Sequence, residues 1–122
     1  MKGGFLFDEH LPRWWRRAIT AIDPGLLIRY VGDPGAPPLH SPDEVLLQWY
    51  ESFHAIMITN NRSTMPIHLA KHLVAGRHIP GIFLIQPGLD AHVLAHSLAY
   101  IVGASLPDEY RDQILFPPLI TP

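Results

Sequence analysis

Four short apolar runs punctuate this chain, and each is followed by a stretch with helical periodicity. The runs fall at residues 4–8 (Gly-Phe-Leu-Phe-Asp), 26–31 (Leu-Leu-Ile-Arg-Tyr-Val), 54–59 (His-Ala-Ile-Met-Ile-Thr) and 82–85 (Ile-Phe-Leu-Ile). Continuous apolar runs of this length match strands buried on both faces. Strands that alternate with helices of ten or more residues imply a parallel sheet joined by right-handed crossovers, with helices on both faces. The expected fold class is therefore α/β: a three-layer α/β/α sandwich around a central, mostly parallel sheet of four or five strands. A length of 122 residues suits one domain spanning 1–122, and an apolar fraction of 48% supplies its core.

Local signals place the helices. Pro12 suits an early helical position, and the first helix runs to about Ala21, with Trp14, Trp15, Ala18, Ile19 and Ile22 as core candidates. Asp23-Pro24-Gly25 ends it, and the proline- and glycine-rich segment 32–40 reads as a loop. Ser41-Pro42-Asp43-Glu44 reads as a capping box that starts a helix reaching about Phe53. Ser63 or Thr64 caps the next helix, whose expected buried stripe is Leu69, Ala70, Leu73 and Val74. A long helix from about Leu89 to Gly103 offers Val93, Leu94, Leu98, Ile101 and Val102 to the core, and Pro107-Asp108-Glu109 opens a short last helix. The tail, 107–122, ends in an apolar but proline-broken segment that reads as an edge strand or a docking segment.

Composition narrows the chemistry. The chain has no cysteine, which removes disulfides, thiolate metal sites and cysteine nucleophiles. The net charge of −2 and a charged fraction of 16% show no strongly basic character, although Arg13, Arg16, Arg17 and Arg29 cluster early. No apolar run approaches the roughly 20 residues that cross a bilayer, and residues 1–9 lack a signal-peptide pattern. The expectation is a cytoplasmic protein without a membrane partner.

In a parallel sheet every strand's C-terminal end points to one edge, where open α/β sheets bind ligands. Asp8 and Glu9 follow the first strand, and Asn60, Asn61 and Arg62 follow the third. Asp43 and Glu44 open a helix that should begin near the same edge. Converging carboxylates suit a hard cation such as Mg²⁺ or Mn²⁺. Each acid also has a plainer account. Asp8 can satisfy turn amides, Glu44 belongs to the capping box, and a first-turn Asp43 gains roughly 0.3–1 kcal/mol from the helix dipole. His68/His72 and His92/His96 are spaced four apart, which suits zinc. Both pairs fall opposite the apolar stripes, with no acid between their members, so the expectation is a solvated face.

The run Phe5-Leu6-Phe7-Asp8-Glu9-His10-Leu11-Pro12 resembles the opening of short prokaryotic PIN-like proteins. Ser41-Pro42-Asp43-Glu44-Val45-Leu46 is similar to the second motif of that family and Ile56-Met57-Ile58-Thr59-Asn60-Asn61-Arg62 to the third. Pro80-Gly81-Ile82-Phe83-Leu84-Ile85 matches the strand that follows. The resemblance covers about residues 4–86, with its acidic motifs within 4–63. It implies a Mg²⁺- or Mn²⁺-dependent ribonuclease, often the toxin half of a toxin–antitoxin pair. Asp8 and Asp43 carry over as metal-binding acids, and Asn61 ligates the metal or orients a water. Arg13, Arg16, Arg17 and Arg62 are the expected RNA contacts. Expected partners are an RNA substrate, a small helical antitoxin and further copies of the chain. The third motif departs from the family's Thr-x-Asp-x-Asp: Asn61 and Ser63 stand at the two acidic positions. An amide brings no charge, so the alternative is a catalytically degenerate PIN-like domain that binds protein or RNA. A receiver-like signalling domain fits less well, because the fourth strand runs into Gln86-Pro87 where a lysine is expected.

Overall fold

A computed structural model describes residues 4–61, 63–104 and 108–117. Its order is β1 (Phe5–Phe7), α1 (Trp14–Ile22), β2 (Ile28–Tyr30), α2 (Asp43–Phe53), β3 (Ile56–Thr59), α3 (Met65–Val74), β4 (Ile82–Leu84), α4 (Ala91–Ala104) and β5 (Ile114–Leu115). The five strands form one sheet in the order β2-β1-β3-β4-β5, and every pairing is parallel. The expected three-layer α/β/α sandwich is thus the observed one. The edge-strand reading of the tail is met by Ile114 and Leu115, which pair with Ile82 and Phe83.

Strand alternation divides the core into two layers. Phe5, Phe7, Ile56, Ile58 and Phe83 face Trp15 and Ile19 of α1 and Leu94, Leu98 and Ile101 of α4. Leu6, Met57, Ile82 and Leu84 face Leu46, Leu47 and Tyr50 of α2 and Met65 and Leu69 of α3. The first strand starts at a point that only glycine fits. Gly4 has φ +67°, and a Cβ there would lie 2.5 Å from the Leu27 carbonyl oxygen, the acceptor of the Phe5 amide.

Several helix details differ from the sequence reading. The first helix starts at Trp14, and Trp15 and Ile19 are buried while Trp14 is 63% exposed. Adjacent residues on a helix point about 100° apart, so only one of the two tryptophans can face the sheet. The capping box at Ser41 does not form. Its hydroxyl donates to the Pro38 carbonyl at 2.6 Å, Pro42 takes the N-cap position, and Glu44 lies beside His68 instead. Thr64 is the N-cap of α3, but its hydroxyl turns to Asn61 and makes no cap bond.

The buried stripe of α3 is Met65, Leu69 and His72, whereas Ala70 and Val74 are exposed. His72 can enter the stripe because its Nε2 lies 3.0 Å from Glu51 Oε1 and 3.3 Å from the His78 carbonyl oxygen. Both neighbours are acceptors, so Nε2 carries the proton. In α4 the inward phase is Ala91, Leu94, Ala95, Leu98 and Ile101, which leaves Val93 and Val102 exposed. The short helix expected from Pro107 is a run of turns over 108–112, with 105–107 outside the described residues. Arg62 and the tail beyond 117 also lie outside them.

Candidate active site at the carboxyl edge of the sheet

The strand order reverses between β1 and β3, which both leave the sheet from its centre and connect in opposite directions. That switch point opens a crevice at the carboxyl ends of the strands. A cleft of about 490 Å³ lies there, lined by Asp8, Glu9, His40, Asp43, Leu46 and Asn61 among others. Asp8 follows β1, Asn61 follows β3, and Asp43 is the first residue of α2. The three residues singled out from the sequence therefore share one cleft.

Asp8 is buried, and position decides its direction. It lies two residues beyond Leu6, so its side chain takes the α2/α3 face of the sheet. Thr59 lies two beyond Met57 and takes the same face on the neighbouring strand. Its hydroxyl donates to Asp8 Oδ2 at 3.1 Å and also accepts the Asn61 amide at 3.1 Å. One threonine thus fixes both the carboxylate and the start of the β3–α3 turn.

Asp43 is less settled. Burial pushes its carboxyl above the usual range. His68 opposes this, while the negative charges of Asp8 and Glu44 add to it. Two donors approach Asp43 Oδ2: Asn61 Nδ2 at 3.4 Å and His68 Nε2 at 3.3 Å. His68 was expected on a solvated face, yet it is half-buried against α2. Its Nδ1 lies 3.3 Å from Glu44 Oε1 in poor hydrogen-bond geometry and has no hydrogen-bond partner among the described residues. The other pair, His92 and His96, does take an exposed face of α4.

The Asn61 amide is held chiefly by Thr64. Oδ1 accepts the Thr64 amide at 3.2 Å and the Thr64 hydroxyl at 3.0 Å. Its Nδ2 donates to the Thr64 hydroxyl at 2.7 Å and more distantly to Asp43 at 3.4 Å. Glu9 has a structural task as well: its Oε1 accepts the His40 amide at 2.7 Å and pins the 32–40 loop to the rim.

Beneath the cleft lies Tyr50, which the sequence reading passed over as an ordinary helix residue. It is fully buried, and its hydroxyl has no hydrogen-bond partner among the described residues. Burial, followed by the charges of Asp8 and Asp43, pushes its pKa well above the usual value. Leaving a hydroxyl in that state costs about 1–3 kcal/mol. Its spacing from Asp43 and Leu46, at i+7 and i+4, was the available signal that it shares their helix face.

The arginines are arranged differently from an open phosphate grip. Arg13 donates to the Val31 carbonyl at 3.1 Å and pairs with Asp33 at 3.3 Å. Arg16 pairs with Asp33 at 2.8 Å, and both guanidiniums sit within 5 Å of the Tyr30 ring centroid, at 4.9 and 4.8 Å. Arg17 is exposed beside Trp14, in a shallow depression on α1.

Among the described residues, no three His, Asp or Glu side chains gather closely enough to hold a metal ion unaided. Two carboxylates nevertheless fit Mg²⁺, which is commonly held by one or two carboxylates with water and substrate phosphate completing its shell. Asp8 and Asp43 supply that number, and the Asn61 oxygen is engaged by Thr64. These features define a doubly wound α/β domain with a paired-carboxylate cleft at its topological switch point. No protein-family model, curated protein or solved structure matches the chain. No helix among the described residues is long and apolar enough to cross a membrane.

Proposed function

We propose that this chain is a PIN-like domain that hydrolyses RNA phosphodiester bonds with Mg²⁺ or Mn²⁺ as cofactor. The observation that carries the reading is the convergence of Asp8 and the under-compensated Asp43. Residues from two elements 35 positions apart in sequence meet in one cleft, and Asp43 is held above its usual carboxyl range partly by Asp8. Such a pair gains from a cation. When bound, the ion supplies Lewis-acid polarisation of a phosphoryl oxygen and a more acidic water. Asp8, fixed by Thr59, holds the ion in register with the strand, and Asp43 completes the charge. Arg17 is the most available cation for an RNA phosphate among the described arginines of α1.

The test is cleavage of single-stranded and structured RNA in Mn²⁺, with Asp8→Ala as control. Activity that survives Asp8→Ala overturns the assignment. The toxin role, with a small helical antitoxin as partner, is the setting the motif resemblance implies. Growth arrest on expression, relieved by Asp8→Ala, tests it.

A second reading has its own observation. Asn61 Nδ2 and His68 Nε2 both approach Asp43 Oδ2, the place where a cation's charge is wanted. In a degenerate domain these two donors replace the metal, and the cleft binds RNA or protein without cutting. Calorimetry that detects RNA binding but no Mn²⁺ binding favours it.

A further inference from the structure

The buried hydroxyl of Tyr50 has no task in the fold as described. Tyr50 lies at i+7 from Asp43 and i+4 from Leu46, so the three share one face of α2. Long side chains on a helix lean toward its N-terminus, and the N-terminus of α2 is the edge that carries the cleft. Tyr50 packs in the layer of Leu6 and Met57, whose strand faces continue to Asp8 and Thr59. Its hydroxyl is therefore directed from below toward the carboxylate pair. It is sealed from solvent, so no outside water serves as its partner.

We infer that Tyr50 is a positioning residue whose hydroxyl donates a hydrogen bond to the Asp8–Asp43 pair when a divalent cation binds in the cleft. The inference rests on the cation reading above. A carboxylate that binds an ion with one oxygen is oriented by a donor on the other. Asp8 already has Thr59 on Oδ2, and Asp43 has Asn61 and His68 on Oδ2. The Tyr50 hydroxyl lies on the core side of the pair and would serve as a further donor to it. Outer partners of this kind typically change metal affinity by 10–100-fold.

The experiment is Tyr50→Phe, which removes one oxygen and keeps the ring. Mn²⁺ affinity is measured by calorimetry, and the metal-free melting temperature is measured beside it. The expected result is a melting temperature equal to or above that of the parent, with Mn²⁺ affinity about 10–100-fold weaker. A purely structural tyrosine gives the reverse: a lower melting temperature and unchanged affinity, which overturns the inference. If the parent chain itself binds no Mn²⁺, the cation reading fails and takes this inference with it. If the parent binds and Tyr50→Phe binds equally well, only the role of Tyr50 is lost. A second measurement needs no variant. With tyrosine Cζ labelled, addition of Mg²⁺ should shift one buried tyrosine resonance. Tyr30, also fully buried, already donates its hydroxyl to the Pro12 carbonyl and serves as the unshifted reference. No shifted resonance overturns the inference.

Discussion

At the amino edge of the sheet, Glu51 and Asp112 are surrounded by donors; at the carboxyl edge, Asp43 is not. Glu51 Oε1 accepts the His78 amide at 3.0 Å and meets His72 at 3.0 Å and Arg77 at 3.5 Å. Asp112 accepts the Ile79 amide at 2.9 Å and pairs with His78 at 2.7 Å. Burial acts to raise both carboxyls, but these amides and cations outweigh it and hold both below the usual range. Asp43 is more deeply buried, stands beside the charges of Asp8 and Glu44, and has no backbone amide or arginine among its described partners, and its carboxyl goes up. The acids of one edge tie α2, α3 and β5 together. At the other edge Asp43 carries an electrostatic cost of the kind a bound cation would relieve.

Substitutions at the two edges should therefore part company. The largest effect is expected from Asp8→Ala: Mn²⁺ affinity and RNA cleavage fall by at least about 100-fold, the top of the range for an outer partner. An affinity within tenfold of the parent by calorimetry breaks the comparison. Next comes Asp112→Ala. It leaves the amide of buried Ile79 unpaired and should lower stability by about 1–3 kcal/mol, read by urea denaturation, with cation affinity unchanged. A loss of Mn²⁺ binding in that variant would show that the edges are not independent.

The smallest effect has the opposite sign. Asp43→Asn removes an under-compensated charge and should raise the metal-free melting temperature by a few degrees, while weakening Mn²⁺ binding. Its pH dependence sharpens the point. A raised carboxyl pKa means that the ionised form is penalised in the folded state, so stability is lost as pH rises through the folded value. The advantage of Asp43→Asn should thus be full at neutral pH and vanish as pH falls to the ordinary 3.8. Glu51, Asp112 and Asp33 behave in the other direction. Their folded values are depressed, so their contribution is present above their ordinary values and is lost as pH falls through the folded ones. Thermal melts of parent and variant across pH 3–7 separate the two signs. A gap that widens on acidification refutes the account of Asp43.

Much of this architecture follows from local pattern. Continuous apolar runs between helical stretches leave few alternatives to a parallel sheet, because such strands must be covered on both faces. Placing Asp8 and Asn61 at one edge needs only the parallel sense of the strands. Helix phase was less legible. Val74 and Val93 are apolar residues that point outward, while His72 is a polar residue that points in. Composition alone favours the opposite assignment, since the Glu51 that satisfies His72 lies 21 residues away. The same is true of Ser41, whose local sequence promises a cap that the Pro38 carbonyl takes instead.

The sequence by itself determined the sheet, its parallel sense and the presence of Asp8 and Asp43 at one edge, because these depend on periodicity and on chain direction. Only the tertiary structure decided what those acids experience. Whether a carboxylate is compensated depends on donors brought in from distant elements: Thr59 for Asp8, and Asn61 and His68 for Asp43. It also depends on burial, which left the Tyr50 hydroxyl without a partner among the described residues. Coulomb energy and desolvation are functions of distance and solvent access in space, and neither quantity is written in the order of residues along the chain.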